Sequence, residues 1–167
     1  MKSVLITGAF GGMGKATAAL LAQQGVRVFA LDRHVGPAAD NVIPIKADLT
    51  DEQSVQAALE VVRAHTDHLH AVVHFAGLYM LDSLVEMPTE AFDRIFDVNL
   101  RAVYLVNKLF LPLLGQDGRI LITTSELAPL DPLPFTGIYA VTKAALDRVS
   151  IETRSSFWKG GFSLILC

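Results

Sequence analysis

The amino-acid sequence predicts an α/β fold, a doubly wound parallel sheet, on three observations. Apolar β-rich runs alternate with helix-compatible stretches along the chain, short turns join them, and 51% of the residues are hydrophobic against 19% charged. That apolar share exceeds what a surface-rich globule needs, so several strands must be buried on both faces, as in a parallel sheet under helices. Right-handed crossovers between successive strands then give one domain over residues 1–167.

The elements follow in order. Ser3 to Thr7 is a short strand that stops at a glycine cluster, Lys15 to Gln24 is a helix ended by Gly25, and Val26 to Leu31 is a second strand closing at Asp32. Strand, glycine turn, helix and strand make one βαβ unit. Val42 to Lys46 is a third strand. Thr50 with Gln53 has the pattern of a capping box, and Val55, Leu59 and Val62 share a helical face behind it. Ala71 to Phe75 is the fourth strand. Phe92, Ile95, Phe96, Asn99, Val103, Val106, Phe110 and Leu113 trace the inner stripe of a long helix, and its apolar content also suits a face between copies of the chain. Gly118 opens a fifth strand that runs through Thr124. Ala128 to Phe135 holds Pro129, Pro132 and Pro134, which cannot donate ladder or helix hydrogen bonds, so this stretch is a loop. A helix from Ile138 to Trp158, a turn at Gly160-Gly161 and a sixth strand from Phe162 to Cys167 complete the order.

Charge and cysteine content exclude several functions. The net charge of -3 comes with Lys and Arg scattered among acids, so no basic stripe tracks a nucleic-acid backbone. The one cysteine, Cys167, allows no intrachain disulfide and fits a cytoplasmic setting. No apolar run reaches the ~18 residues of a membrane span, and the glycine cluster interrupts any signal-like segment after Met1-Lys2. His65, His68, His70 and His74 are divided between a turn and a strand without a cysteine or convergent acids, so no metal site is expected.

Gly8, Gly12 and Gly14 stand between the first strand and the first helix. Missing side chains there let the chain turn sharply and bring backbone N–H groups, with the positive end of the helix, against a pyrophosphate. Gly14-Lys15 resembles the end of a nucleotide-hydrolase phosphate loop, but Ala9 replaces that loop's first glycine and Ala16 its magnesium-binding hydroxyl. Asp32, at the end of the second strand, is placed to accept hydrogen bonds from adenosine ribose hydroxyls and to repel a 2′-phosphate. This makes NAD the expected cofactor. Arg33 directly after it would attract that phosphate, which keeps NADP as the alternative. Asp48 and Leu49 follow the third strand, where they would hold and pack an adenine. Tyr139 and Lys143 are four apart in a helix and project from one face, and an ammonium there would stabilise a phenolate for proton exchange.

Thr7-Gly8-x-x-x-Gly12-x-Gly14, Asn99, Ser125 and Tyr139-x-x-x-Lys143 together resemble the short-chain dehydrogenase/reductase family in order and spacing, from Ser3 to Cys167. The resemblance implies a Rossmann fold and an NAD(H)-dependent oxidoreductase acting on an alcohol or carbonyl of a small organic molecule, assembled as a homodimer or homotetramer. It implies that Tyr139 exchanges a proton with the substrate oxygen, that Ser125 hydrogen-bonds that oxygen, and that Lys143 binds the nicotinamide ribose and favours the phenolate. Asn99 would position a water linking Lys143 to solvent. The cofactor-binding set would be Gly8, Phe10, Gly12, Met13, Gly14, Asp32, Asp48, Leu49, Ala76 and Gly77, with Tyr139 and Lys143.

Three features depart from the family pattern. His74-Phe75-Ala76-Gly77 stands where Asn-Asn-Ala-Gly is usual, and Ser125 lies fourteen residues before Tyr139, one more than is common, which brings Thr124 forward as the alternative hydroxyl. The resemblance also implies a Pro-Gly turn, a substrate-covering segment and a seventh strand after the sixth, so a truncated product or fragment is expected. A nonenzymatic dinucleotide-binding protein is the rival reading. The proline loop and Leu78 to Leu84 would wall a partly hydrophobic substrate pocket.

Overall fold

Strands β1 (Ser3–Thr7), β2 (Arg27–Asp32), β3 (Val42–Lys46), β4 (Leu69–His74), β5 (Leu114–Ile122) and β6 (Ser163–Leu166) form one parallel sheet in the order β3-β2-β1-β4-β5-β6. The structure is a computed structural model that describes residues 1–80, 83, 85–125, 137–156 and 163–166. The order reverses between β1 and β4, the place in such sheets where a crevice opens beyond the strand ends. Helices α1 (Gly12–Gln23), α2 (Glu52–Arg63), α3 (Thr89–Phe96), α4 (Ala102–Phe110) and α5 (Gly137–Ser156) connect the strands.

Alternation along each strand sorts the core into two layers. Val4 and Ile6 of β1 pack with Val28, Ala30 and Val73 under α1, while Leu5 packs with Phe29, Leu31 and Val72 against Val55, Leu59 and Val62 of α2 and Val106 and Phe110 of α4. Val103, Ile120, Ile122 and Leu146 join α4, β5 and α5 on that second face. Every residue of β1 is buried, as expected of a central parallel strand.

The strands and helices expected from the sequence all occur, with shifted ends. α1 begins at Gly12 and not Lys15, because Gly11 serves as its N-cap and accepts from Lys15 N at 2.8 Å. Gly25 closes it as expected with φ of +75°, a left-handed conformation that glycine adopts without a Cβ penalty. The capping box of α2 is corrected: Asp51 is the cap, accepting from Gln53 N at 3.0 Å, whereas the Thr50 hydroxyl donates to Asp48. The long apolar helix has a π-helical turn, Asp97–Arg101, between α3 and α4, and a 3-10 turn, Leu111–Leu113, at its end. β5 begins at Leu114, before Gly118, because its register against β4 slips between Leu69↔Leu114 and Ala71↔Arg119. The proline loop, Leu81, Asp82, Leu84, Trp158, Gly160-Gly161, Phe162 and Cys167 lie outside the described residues.

β3 is an edge strand and carries Pro44 at its centre. Val28 N donates to Asn41 O and Ala47 N to Asp32 O, so odd-numbered β3 residues face β2 and Pro44 faces outward, where its missing N–H costs no ladder bond.

Candidate active site

The ends of β1 and β4 are fitted together at the crevice. Gly8 has φ of +65°, and a Cβ there would lie 2.6 Å from Ala76 N, so the two chain segments meet backbone to backbone. Thr7 Oγ1, buried, accepts from Ala76 N at 3.4 Å and joins the same two ends. A Cβ at Gly14 would collide with Gly8 O, which explains the third glycine by helix-on-turn packing. Gly12 is different: among the described residues, a Cβ there would meet nothing within 4 Å beyond its chain neighbours and its own helix backbone. The first turn of α1 has no capping side chain and no acidic residue, so its N–H donors and positive helix end stay available to an anion.

Asp32 braces this glycine turn from β2. One carboxylate oxygen accepts from Phe10 N at 3.0 Å and the other from His34 N at 3.2 Å. Phe10 reaches the site through its backbone only, since its ring lies against Gly36 in the α1-side core. Met13 is exposed on the first turn of α1. Gly8, Asp32, Asp48, Leu49, Ala76 and Gly77 line one cleft of about 220 Å³, together with Gly11, Arg33, Thr50, Phe75, Val98 and Ala102. Asp48 is held charged below the usual carboxylate range, chiefly by the Thr50 N–H and hydroxyl donating to it, and also by Arg33.

A second group of residues stands at the Gly77 end of that cleft. Asn99 lies buried in the π-helical turn, a local widening of the helix that often marks functional positions. Its Oδ1 accepts from Leu78 N at 2.6 Å, and its Nδ2 donates to Leu78 O and to Thr142 Oγ1, each at 3.0 Å. Thr142 in turn donates to Tyr139 O at 2.8 Å, so one amide ties the segment after β4 to α5. Lys143 donates to Thr123 O at 2.8 Å, and its Nζ lies 5.8 Å from the centre of the Tyr139 ring. Burial pushes the Lys143 ammonium below its ordinary pKa. A Cβ at Gly77 would stand 3.6 Å from Asn99 Oδ1 and 3.7 Å from Lys143 Nζ, so any larger residue there would fill the space between them. Thr124 and Ser125 follow β5 at this same end of the sheet and are half-buried.

The histidines disperse. His65 Nδ1 pairs with Val61 O, His68 and His70 meet edge to face, and His70 Nδ1 accepts from Ser3 N. His74 is buried and bonds Asn107 of α4 through Nε2 at 2.9 Å. Burial pushes its imidazole down to about 4, the hydrogen bond opposing this only in part. No helix among the described residues is long and apolar enough to cross a membrane.

The chain matches the family model for short chain dehydrogenase over residues 2–158. It belongs to the short-chain dehydrogenase/reductase family. Among similar proteins, versicolorin reductase 1 of Aspergillus parasiticus is 33% identical over 87% of this chain and 60% of its own length. Hydroxynaphthalene reductase-like protein Arp2 of Metarhizium acridum is 32% identical over 87% of the chain and 59% of its own. This short-chain dehydrogenase/reductase thus spans about 60% of the length of those relatives. A solved structure of 3-ketoacyl-(acyl-carrier-protein) reductase from Brucella melitensis, complexed with NADH, superposes with a TM-score of 0.89 at 26% identity, covering 99% of this chain and 74% of that one.

Sequence reasoning missed Thr123 and Thr142, and it named Thr7 only as part of the glycine motif and Leu78 only as a pocket wall, without the contacts they make. Thr123 and Leu78 act through backbone groups, which side-chain identity does not reveal. Thr142 had a signal: it lies between Tyr139 and Lys143, three residues after the tyrosine, so its hydroxyl falls within reach of the Tyr139 carbonyl.

Proposed function

We propose that this chain carries the cofactor site and proton-transfer residues of an NAD(H)-dependent oxidoreductase acting on an alcohol or carbonyl of a small organic substrate. The observation that carries this reading is Gly77: it lines the nucleotide cleft, and a Cβ there would touch both Asn99 and Lys143, so the cleft and the proton-transfer residues adjoin at this position. The residues fit a dinucleotide, because among the described residues nothing outside its own helix packs at Gly12, which leaves room for a ligand beside the helix N-terminus. Gly8, Gly12 and Gly14 would hold the pyrophosphate, Asp32 the ribose, and Asp48 and Leu49 the adenine. When bound, the nicotinamide supplies or accepts the hydride. Tyr139 gives the substrate oxygen its proton or removes it, Lys143 stabilises the phenolate and holds ribose hydroxyls, and Ser125 or Thr124 orients the substrate oxygen. Asn99 fixes the loop and α5 relative to each other, which sets the tyrosine–lysine geometry.

Asp32 supports NAD over NADP, since its carboxylate is anchored by two backbone N–H groups and meets a 2′-phosphate with like charge. Exposed Phe92, Tyr104, Val141 and Ile151 on α3, α4 and α5 support assembly as a homodimer or homotetramer through that helical face. The lone cysteine accords with a cytoplasmic setting. Two measurements test the reading. Calorimetry should give tighter binding of NAD than NADP, with the ratio falling about tenfold or more in Asp32→Asn. NADH oxidation with a panel of ketones that includes aryl ketones should drop at least ~100-fold in Tyr139→Phe. Unchanged turnover in that variant refutes the proton-transfer assignment.

A further inference from the structure

Tyr79 follows directly on the clamped Gly77-Leu78 segment. Asn99 holds Leu78 at both its N–H and its C=O, so the backbone that delivers the Tyr79 side chain is fixed from below. The Tyr79 ring stands edge to face with Tyr139, centroids 4.7 Å apart and planes at 85°, yet 57% of the residue stays exposed. Its neighbours Leu78 and Met80 are apolar and half-buried. A tyrosine serving only the core would be buried. A site built for polar substrates would gain nothing from a large ring held open to solvent beside the proton-exchanging phenol.

We propose that Tyr79 is the specificity-determining residue of this site. It forms an aromatic wall for substrates whose reacting carbon adjoins an aryl ring, placing their oxygen at the Tyr139 hydroxyl. Packing of ring on ring is directional, so an aryl substrate is oriented as well as bound, whereas an aliphatic one meets only the wall's area. This rests on the oxidoreductase reading above, and the test separates the two.

The test measures ketone affinity without turnover, by ligand-detected NMR on the full chain saturated with NAD⁺, because a ketone and the oxidised cofactor cannot react. α-Tetralone is the aryl probe and cyclohexanone the aliphatic one. Wild type should bind α-tetralone more tightly. Tyr79→Ala should weaken α-tetralone about fivefold or more and cyclohexanone less than about twofold. Tyr79→Phe should bind both like wild type, since the ring and not the hydroxyl forms the wall. An equal loss of both ketones in Tyr79→Ala, or no aryl preference in wild type, overturns the proposal. Loss of turnover in Tyr139→Phe judges the oxidoreductase reading separately, because that variant should still bind α-tetralone.

Discussion

His74 gives the protein an acid-sensitive group in the core, at the end of β4 just before the cleft residues Phe75, Ala76 and Gly77. The imidazole is buried at the end of β4, bonded to Asn107, with a folded-state pKa near 4 against 6.5 for the free side chain. The unfolded chain therefore takes up a proton more readily between those values, so acid favours unfolding. The contribution is fully present above the unfolded value and is lost as pH falls toward the folded one. Linkage gives about 2 kcal/mol lost by about pH 5, and about 3 kcal/mol once the folded pKa is reached. Urea titrations over that range, comparing wild type with His74→Asn, isolate the effect because the carboxylates are common to both. The wild-type midpoint should fall relative to the variant by about 1 M between neutral pH and pH ~5. The variant itself should be about 1–2 kcal/mol less stable at neutral pH, having lost a fitted bond to Asn107. Equal slopes in the two proteins, or a His74 ring proton that titrates near its free value by NMR, would refute the reasoning.

Two further outcomes follow from the crevice. Gly8→Ala should cost about 3 kcal/mol or more in chemical denaturation, and should abolish NAD binding in calorimetry if the protein still folds, because the new Cβ meets Ala76 N at 2.6 Å from a left-handed backbone. Asn99→Ala strips partners from the Leu78 N–H and C=O and from Thr142. It should cost about 2 kcal/mol in stability and lower kcat by tenfold or more (~1.4 kcal/mol), read by urea melts and NADH oxidation.

Much of this was legible from residues alone, for physical reasons that differ by region. β1 and β4 were readable because strands buried on both faces leave continuous apolar runs, and the crevice was readable because three glycines and Asp32 must stand at fixed offsets in a βαβ unit. The Tyr139–Lys143 pair was legible from helical periodicity. The π-helical turn was not, since Asn99 sits in an apolar stripe whose spacing suits an unbroken helix equally well. The bonds of the Asn99 amide to the Leu78 backbone and Thr142 were equally hidden, because only the meeting of α5 with the segment after β4 creates them. The early start of β5 was hidden because a register slip across Gly115 and Gly118 depends on pairing with β4. His74 carried a visible oddity, a histidine where the family has asparagine, but its partner lies thirty-three residues on and no pattern announces it.

Pro44 has a consequence for the outer edge of the sheet. Along the outer side of β3, Val42 N is already engaged by Ala39 O, Pro44 has no N–H, and Lys46 brings a charge. A second strand laid against that edge would find almost no donors to zip onto and a cation to desolvate. The sheet is thereby guarded on this flank against open-ended growth into fibrous or aggregated forms.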